Sequence, residues 1–203
     1  MHDSAPHDNP GSGPIEPFGH LESMKVIVPL LESLLDDDID DVSMPMRAQL
    51  VMMMQWPGLP QAVCVQTAFG RRTGQQNLER TQRLITQAER RGVSVDEHVA
   101  DLHGAGTIPH DDPVRLFLGE SSRRPDPRRL ERGILLMRAS ADAAPHELHQ
   151  PMLSTIAWML WAQGRKDDAM ATLVRAFEID ATDPLTGGLI AHFSRTMPAW
   201  LTT

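Results

Sequence analysis

The chain has 203 residues, a formal net charge of −8, one cysteine and no tyrosine. That length fits one domain able to bury roughly 70% of its unfolded surface, and the acidity opposes nonspecific attachment to nucleic acid or to an anionic membrane. A lone Cys64 excludes an internal disulfide, and without a signal-peptide pattern or any apolar run near ~18 residues the chain is expected to be cytoplasmic and off the membrane.

Charge is unevenly spread. Residues 1–60 hold ten acids against two bases, residues 61–140 ten acids against thirteen bases, and residues 141–203 seven acids against four bases. The middle segment alone is basic. Seventeen of the nineteen Lys and Arg residues are arginine.

In chain order, residues 1–19 are rich in Pro, Gly, Asp and His with little to bury, and read as a flexible arm ahead of a single domain over 20–203. Apolar spacing predicts a helix from His20 to Leu35, kinked or restarted at Pro29, closed by the acidic run Asp36–Asp41. Ser43 and Pro45 mark the start of a helix to about Gln55, and Trp56-Pro57-Gly58-Leu59-Pro60 breaks it. An apolar helix over 60–69 stops at Gly70. A polar helix over 75–91 follows, with Leu78, Ile85 and Ala88 as its thin apolar stripe, stopped by Gly92. Ser94 and Glu97 form a capping box for a short helix to Leu102. Residues 104–112 read as a loop, and Asp112-Pro113 and Asp126-Pro127 start helices reaching Leu118 and about Ala143. Strand-type alternation with turn dipeptides is missing throughout. The expected fold is all-α, an irregular domain of short antiparallel helical hairpins with about eight to ten helices.

The most regular stretch is 152–180. Leu153, Ile156, Ala157 and Leu160 form one helical stripe, Gly164 interrupts it, and Ala169, Leu173, Ala176 and Phe177 form the next. Asp167 and Asp168 suit the positive end of that second helix, and Asp183-Pro184 starts a third. The succession Ala157, Gly164, Ala169, Leu173, Ala176 resembles one tetratricopeptide repeat, although Leu160 stands where an aromatic is usual and the proline comes late. The resemblance implies that Trp158 and Trp161 face a partner-binding concave surface. Burial, the commoner fate of large aromatics, would instead place both in the core. Over residues 46–201 the segment RAQLVMMMQWPGLPQAVCVQTAFGRRTG, the Trp-containing hairpin and the closing AFEIDATDP and PAWL resemble the C-terminal half of an actinobacterial family known as domain of unknown function 4192. That family has no assigned activity, so the resemblance implies a fold and a bacterial origin and no catalytic residue.

Candidate sites were weighed by the chemistry they would need. Asp36, Asp38 and Asp40 have calcium-loop spacing, but Asp41 and Arg47 occupy the positions that require glycine and a bidentate glutamate, so an acidic linker is expected. His146-Glu147-Leu148-His149 lacks the helix-face spacing of a zinc site, and His98, His103 and His110 merely share a region; no metal and no cofactor is expected. Neither Gly70–Gly74 nor Gly104–Gly106 forms a phosphate loop. Residues 75–102 look similar to a helix-turn-helix in which Arg83, Arg90 and Arg91 would meet DNA, yet Asp96, Glu97 and Asp101 on the second helix would repel phosphates. Arg128 and Arg132 share a face of the helix after Pro127, within a cluster that includes Arg123, Arg124 and Arg129. They could hold an acidic protein segment, including the Asp36–Asp41 run. The expected function is a protein-protein interaction or scaffold module, binding another protein or itself through Trp158, Trp161, Arg128 and Arg132. The alternatives are a DNA-binding regulator and, less favoured, a histidine-based enzyme.

Overall fold

The computed structural model describes residues 17–109 and 112–202, except for the side chains of 17–24 and of Asp96. Ten α-helices and three single 3₁₀ turns, with no strand, make up the described residues. The helices are α1 (Pro17–Asp36), α2 (Met44–Met54), α3 (Leu59–Phe69), α4 (Arg71–Arg91), α5 (Val95–Gly104), α6 (Pro113–Phe117), α7 (Pro127–Asp142), α8 (Gln150–Ala162), α9 (Lys166–Ile179) and α10 (Pro184–Arg195). No helix among the described residues is long and apolar enough to cross a membrane.

Helix α8 is the centre. All thirteen of its residues are buried, as a helix apolar on every side must be, and α9, α7, α3 and α10 pack around it. Gly164, at φ +83°, makes the turn into α9, and Ala157, Ala169 and Ala176 are fully buried where the two helices meet. The hairpin expected from the small residues is therefore present. Helix α7 lies across α8 with Gly133 at a close approach, since a methyl group there would sit 2.6 Å from Thr67 and 2.9 Å from the Met159 sulfur.

The other helices wrap this centre. Helix α3 is buried along nearly its whole length between α4 and α8. Gln66 on α3, 1% exposed, donates to the Val28 carbonyl and to Glu32 Oε1, while Arg129 of α7 grips both oxygens of Glu32 at 3.1 and 2.8 Å and donates to the Thr67 and Gln66 carbonyls. This polar knot fixes α1, α3 and α7 together, and its buried groups are mutually satisfied.

Most boundaries follow the local signals. Asp112, Asp126 and Asp183 each accept a backbone N–H at the start of their helices, and Ser94 Oγ accepts from Glu97 N at 3.1 Å. Three features differ from those signals. Helix α1 runs uninterrupted through Pro29 from Pro17, so residues 17–19 of the expected arm are helical and the rest of that arm lies outside the described residues. Helix α4 begins at Arg71, four residues early, because Gly70 ends α3 and starts α4, and the missing side chain of Gly74 lets α4 pass against Gln66. Its buried stripe is Leu84 and Ala88, with Leu78 and Ile85 only half-buried.

Candidate interaction surface

The two tryptophans first singled out are core residues, which corrects the expectation that they line a partner-binding face. Trp158 and Trp161 are fully buried. Trp158 stacks on Phe117 with centroids 5.6 Å apart and donates its indole N–H to the Phe117 carbonyl at 2.8 Å. Trp161 stacks on Phe193 at 4.5 Å, meets Trp200 edge-on at 6.2 Å and donates to the Thr196 carbonyl. Each ring thus has an apolar neighbour for its face and an acceptor for its one donor, the requirement for burying an indole. Nothing of either is left for a partner.

The arginine cluster divides. Arg129 is consumed by Glu32 and two carbonyls, as described above. Arg132, half-buried, donates to the Asp37 carbonyl, so the Asp36–Asp41 run does meet α7, through its backbone instead of a carboxylate. Arg123 donates to the Phe69 carbonyl at 3.0 Å with its guanidinium 5.2 Å from the centre of the Phe69 ring. Arg128 is exposed and forms no ion pair among the described residues. It lines a hollow of about 660 Å³ with Arg123, Arg124 and Phe69.

A larger groove of about 860 Å³ begins on the other side of Arg124 and Pro125. The amphipathic helix α7 forms one wall. Leu130 and Ile134 are buried beneath it, while Leu135 lies off the buried stripe and stays 51% exposed. The opposite wall is the 3₁₀ turn Ala199–Leu201. Trp200 Nε1 donates to the Ala162 carbonyl at 2.9 Å, and the Ala199 amide donates to the Gly119 carbonyl at 2.7 Å, so the turn is clamped over the end of α8. Leu201, 45% exposed, leans toward Gly164, where an added methyl would lie 3.2 Å from its Cδ1. Arg124, Arg138 and Arg165 stand at the rim with Glu131 as the one acid. Arg165 is paired with Asp168 at 2.8 Å; Arg124 and Arg138 form no ion pair among the described residues.

Leu135, Arg138, Arg165, Trp200 and Leu201 were not picked out from the sequence. The available signal was Leu135, an apolar residue off the period of its own helix. The rest of the groove joins three separate segments, and Arg138 and Trp200 on its two walls are more than sixty residues apart.

The helix-turn-helix-like hairpin is α4–α5. Arg83 and Arg90 are exposed on α4. Arg91 turns onto α5, where Nη1 lies 2.7 Å from His98 Nδ1 and Nη2 donates to Asp101 at 2.9 Å. His98 Nδ1 therefore accepts, leaving Nε2–H to donate to Gln87 Oε1 at 3.1 Å. Three further histidines bond singly, His103 to Glu120, His149 to the Ala144 carbonyl and His192 to the Leu118 carbonyl, and His146 sets its ring 5.3 Å from that of His149. His110 lies outside the described residues. Among those described, no three His, Cys, Asp or Glu side chains converge as a metal site. Cys64 is buried against Thr155, and burial pushes its thiol far above the ordinary range, leaving it without nucleophilic character near neutrality.

No family model, curated protein or solved structure matches this chain.

Proposed function

We propose that this chain is a protein-protein interaction module of the bacterial cytoplasm that works without catalytic chemistry of its own. The observation carrying the reading is the groove between α7 and the Ala199–Leu201 turn. Leu135 and Leu201 expose about half their surface above the buried Leu130, Ile134, Ala162 and Trp200, beside Arg124 and Arg138, which form no ion pair among the described residues. Two exposed leucines flanked by arginines have the apolar-centre, polar-rim layout of an interface.

DNA binding through α4–α5 is less well supported, because Arg91 is spent on Asp101 and His98 and the second helix keeps Glu97 and Asp101 on its surface. Placing a carboxylate in the groove tests the preferred reading. Leu135→Asp is expected to leave the melting temperature within about the ±0.5 kcal/mol equivalent typical of surface changes, while abolishing co-purification of a stoichiometric partner from the native host. A partner retained equally by both forms, or no partner for the parent chain under crosslinking, would count against it.

A further inference from the structure

We infer that the groove takes an acidic amphipathic peptide segment, with apolar side chains seated between Leu135 and Leu201 and carboxylates on Arg124 and Arg138; this rests on the interaction reading above. The argument is one of sign. The whole chain carries a net charge of −8, yet this face gathers three arginines against one acid, Glu131. Two of the three are unengaged, and Arg124 also borders the neighbouring hollow, which adds Arg123 and Arg128 to the same positive strip. Asp126, the acid in that hollow, accepts the Arg128 and Arg129 amides at the start of α7 and keeps its negative charge there. With Arg165 offset by Asp168, the strip still carries Arg123, Arg124, Arg128 and Arg138 against Glu131 and Asp126, a local excess opposite in sign to the chain's net charge, which favours an acidic partner and steers its approach.

The floor decides between kinds of acidic partner. Nucleic-acid backbone would use the arginines but leave Leu135 and Leu201 against water. A peptide that alternates apolar and acidic side chains uses both. From Leu130 to Arg138 helix α7 rises about 12 Å, enough for two to three turns of a docked helix presenting apolar residues at i and i+4. Guanidinium groups favour carboxylates because the two pair through parallel hydrogen bonds.

The test is selection of random sixteen-residue peptides displayed against the full-length chain, with L135D as the counter-selecting bait. Enriched sequences are expected to carry two apolar residues one helical turn apart with at least two flanking Asp or Glu. Their affinity should fall about tenfold for the Arg124→Glu/Arg138→Glu double variant, the sum expected for two surface charge reversals. A peptide with its acids replaced by lysine should bind that double variant better than it binds the parent chain, a rescue that a loss of folding would not produce. Absence of any Leu135-dependent peptide would overturn both this inference and the interaction reading. Leu135-dependent peptides without acidic enrichment, or indifferent to the arginine reversal, would overturn this inference alone. So would a concentration-dependent dimer broken by L135D, which would assign the groove to a second copy. Duplex DNA of sixteen base pairs bound by the parent chain and by L135D but not by the arginine variant would also overturn it.

Discussion

Helices α8 and α4 solve the same problem by opposite means. The thirteen residues of α8 are all buried, whereas α4, with twenty-one, buries four: Thr73, Gly74, Leu84 and Ala88. In α8 every polar side chain must therefore find a partner inside the fold. Gln150 Nε2 reaches Asp183 at 2.7 Å and Thr186 at 2.6 Å, Ser154 shares a hydrogen bond with Thr186 at 2.8 Å, and Thr155 donates to the Pro151 carbonyl at 2.8 Å. Helix α4 packs a narrow face on α3 and α1 and adds devices at its end and one ion pair across the fold. Gly92 ends it in a left-handed conformation at φ +68°, Arg90 and Arg91 sit at the negative end of its dipole, and Arg80 pairs with Asp112 at 2.8 Å. The lesson is that α8 is stabilised by what surrounds it on every side, whereas α4 adds its own ends to one narrow packed face. The two kinds should fail differently.

The largest expected effect is at the centre. Trp161→Ala removes the stack on Phe193 and the edge contacts with Trp200 and His192, all in a fully buried setting. Unfolding by urea should show a loss of about 3–5 kcal/mol, the usual cost of emptying a large aromatic site. A loss below about 1 kcal/mol would mean that α8 is not the packed centre, and the comparison would break at its first term.

A second measurement sharpens it through α3, which shields one side of α8. Cys64 is buried against Thr155, and its pKa is raised by desolvation. The folded chain therefore keeps the thiol protonated while the unfolded chain ionises it from about pH 8.5. The unfolded state binds fewer protons above that pH, so stability should be flat below it and fall by about 1.4 kcal/mol per unit above it. The window is favourable because the chain has no tyrosine and only two lysines. Urea titrations at intervals through about pH 7–10 should show the fall in the parent chain and a flatter profile in Cys64→Ala. Equal slopes in the two would show that water reaches this side of α8.

The sequence disclosed these two strategies unequally. Caps and stops are chemically local, so Asp112, Asp126, Asp183, Gly164 and Gly92 announced their turns without any knowledge of tertiary structure. The all-helical class followed from periodicity, as did the pairing of α8 with α9. What stayed hidden depends on residues far apart in the chain. Glu32 and Arg129, ninety-seven positions apart, form the knot between α1, α3 and α7, and neither residue type signals burial. The tryptophans drew the first functional reading because aromatic residues serve interfaces and cores alike, and only the neighbours Phe117, Phe193 and Trp200 decide between them. The groove was illegible for the same reason: Leu135 and Leu201 belong to different elements, and each alone is an unremarked surface leucine.

The smallest expected effects lie on α4, where they also bear on the DNA-binding alternative. Arg91 is tied to Asp101 and to the 5%-exposed His98, whereas Arg90, its neighbour, is exposed and forms no ion pair among the described residues. Removing Arg91 leaves the buried His98 Nδ1 without its donor, so Arg91→Ala should cost about 1 kcal/mol and Arg90→Ala less than about 0.5 kcal/mol. Hydrogen exchange should show the amides of α5 losing protection in the first variant only, because the tie that is cut is the one between the two helices. If both variants behave alike, Arg91 is as solvated as Arg90, and the end of α4 holds nothing in place. That outcome would also free Arg91 for phosphate, and the two arginines would then have to act together on DNA. An asymmetric result leaves Arg91 as a fastener of the hairpin and confines the exposed charge of this surface to Arg83 and Arg90, few contacts for a helix whose partner α5 presents acids.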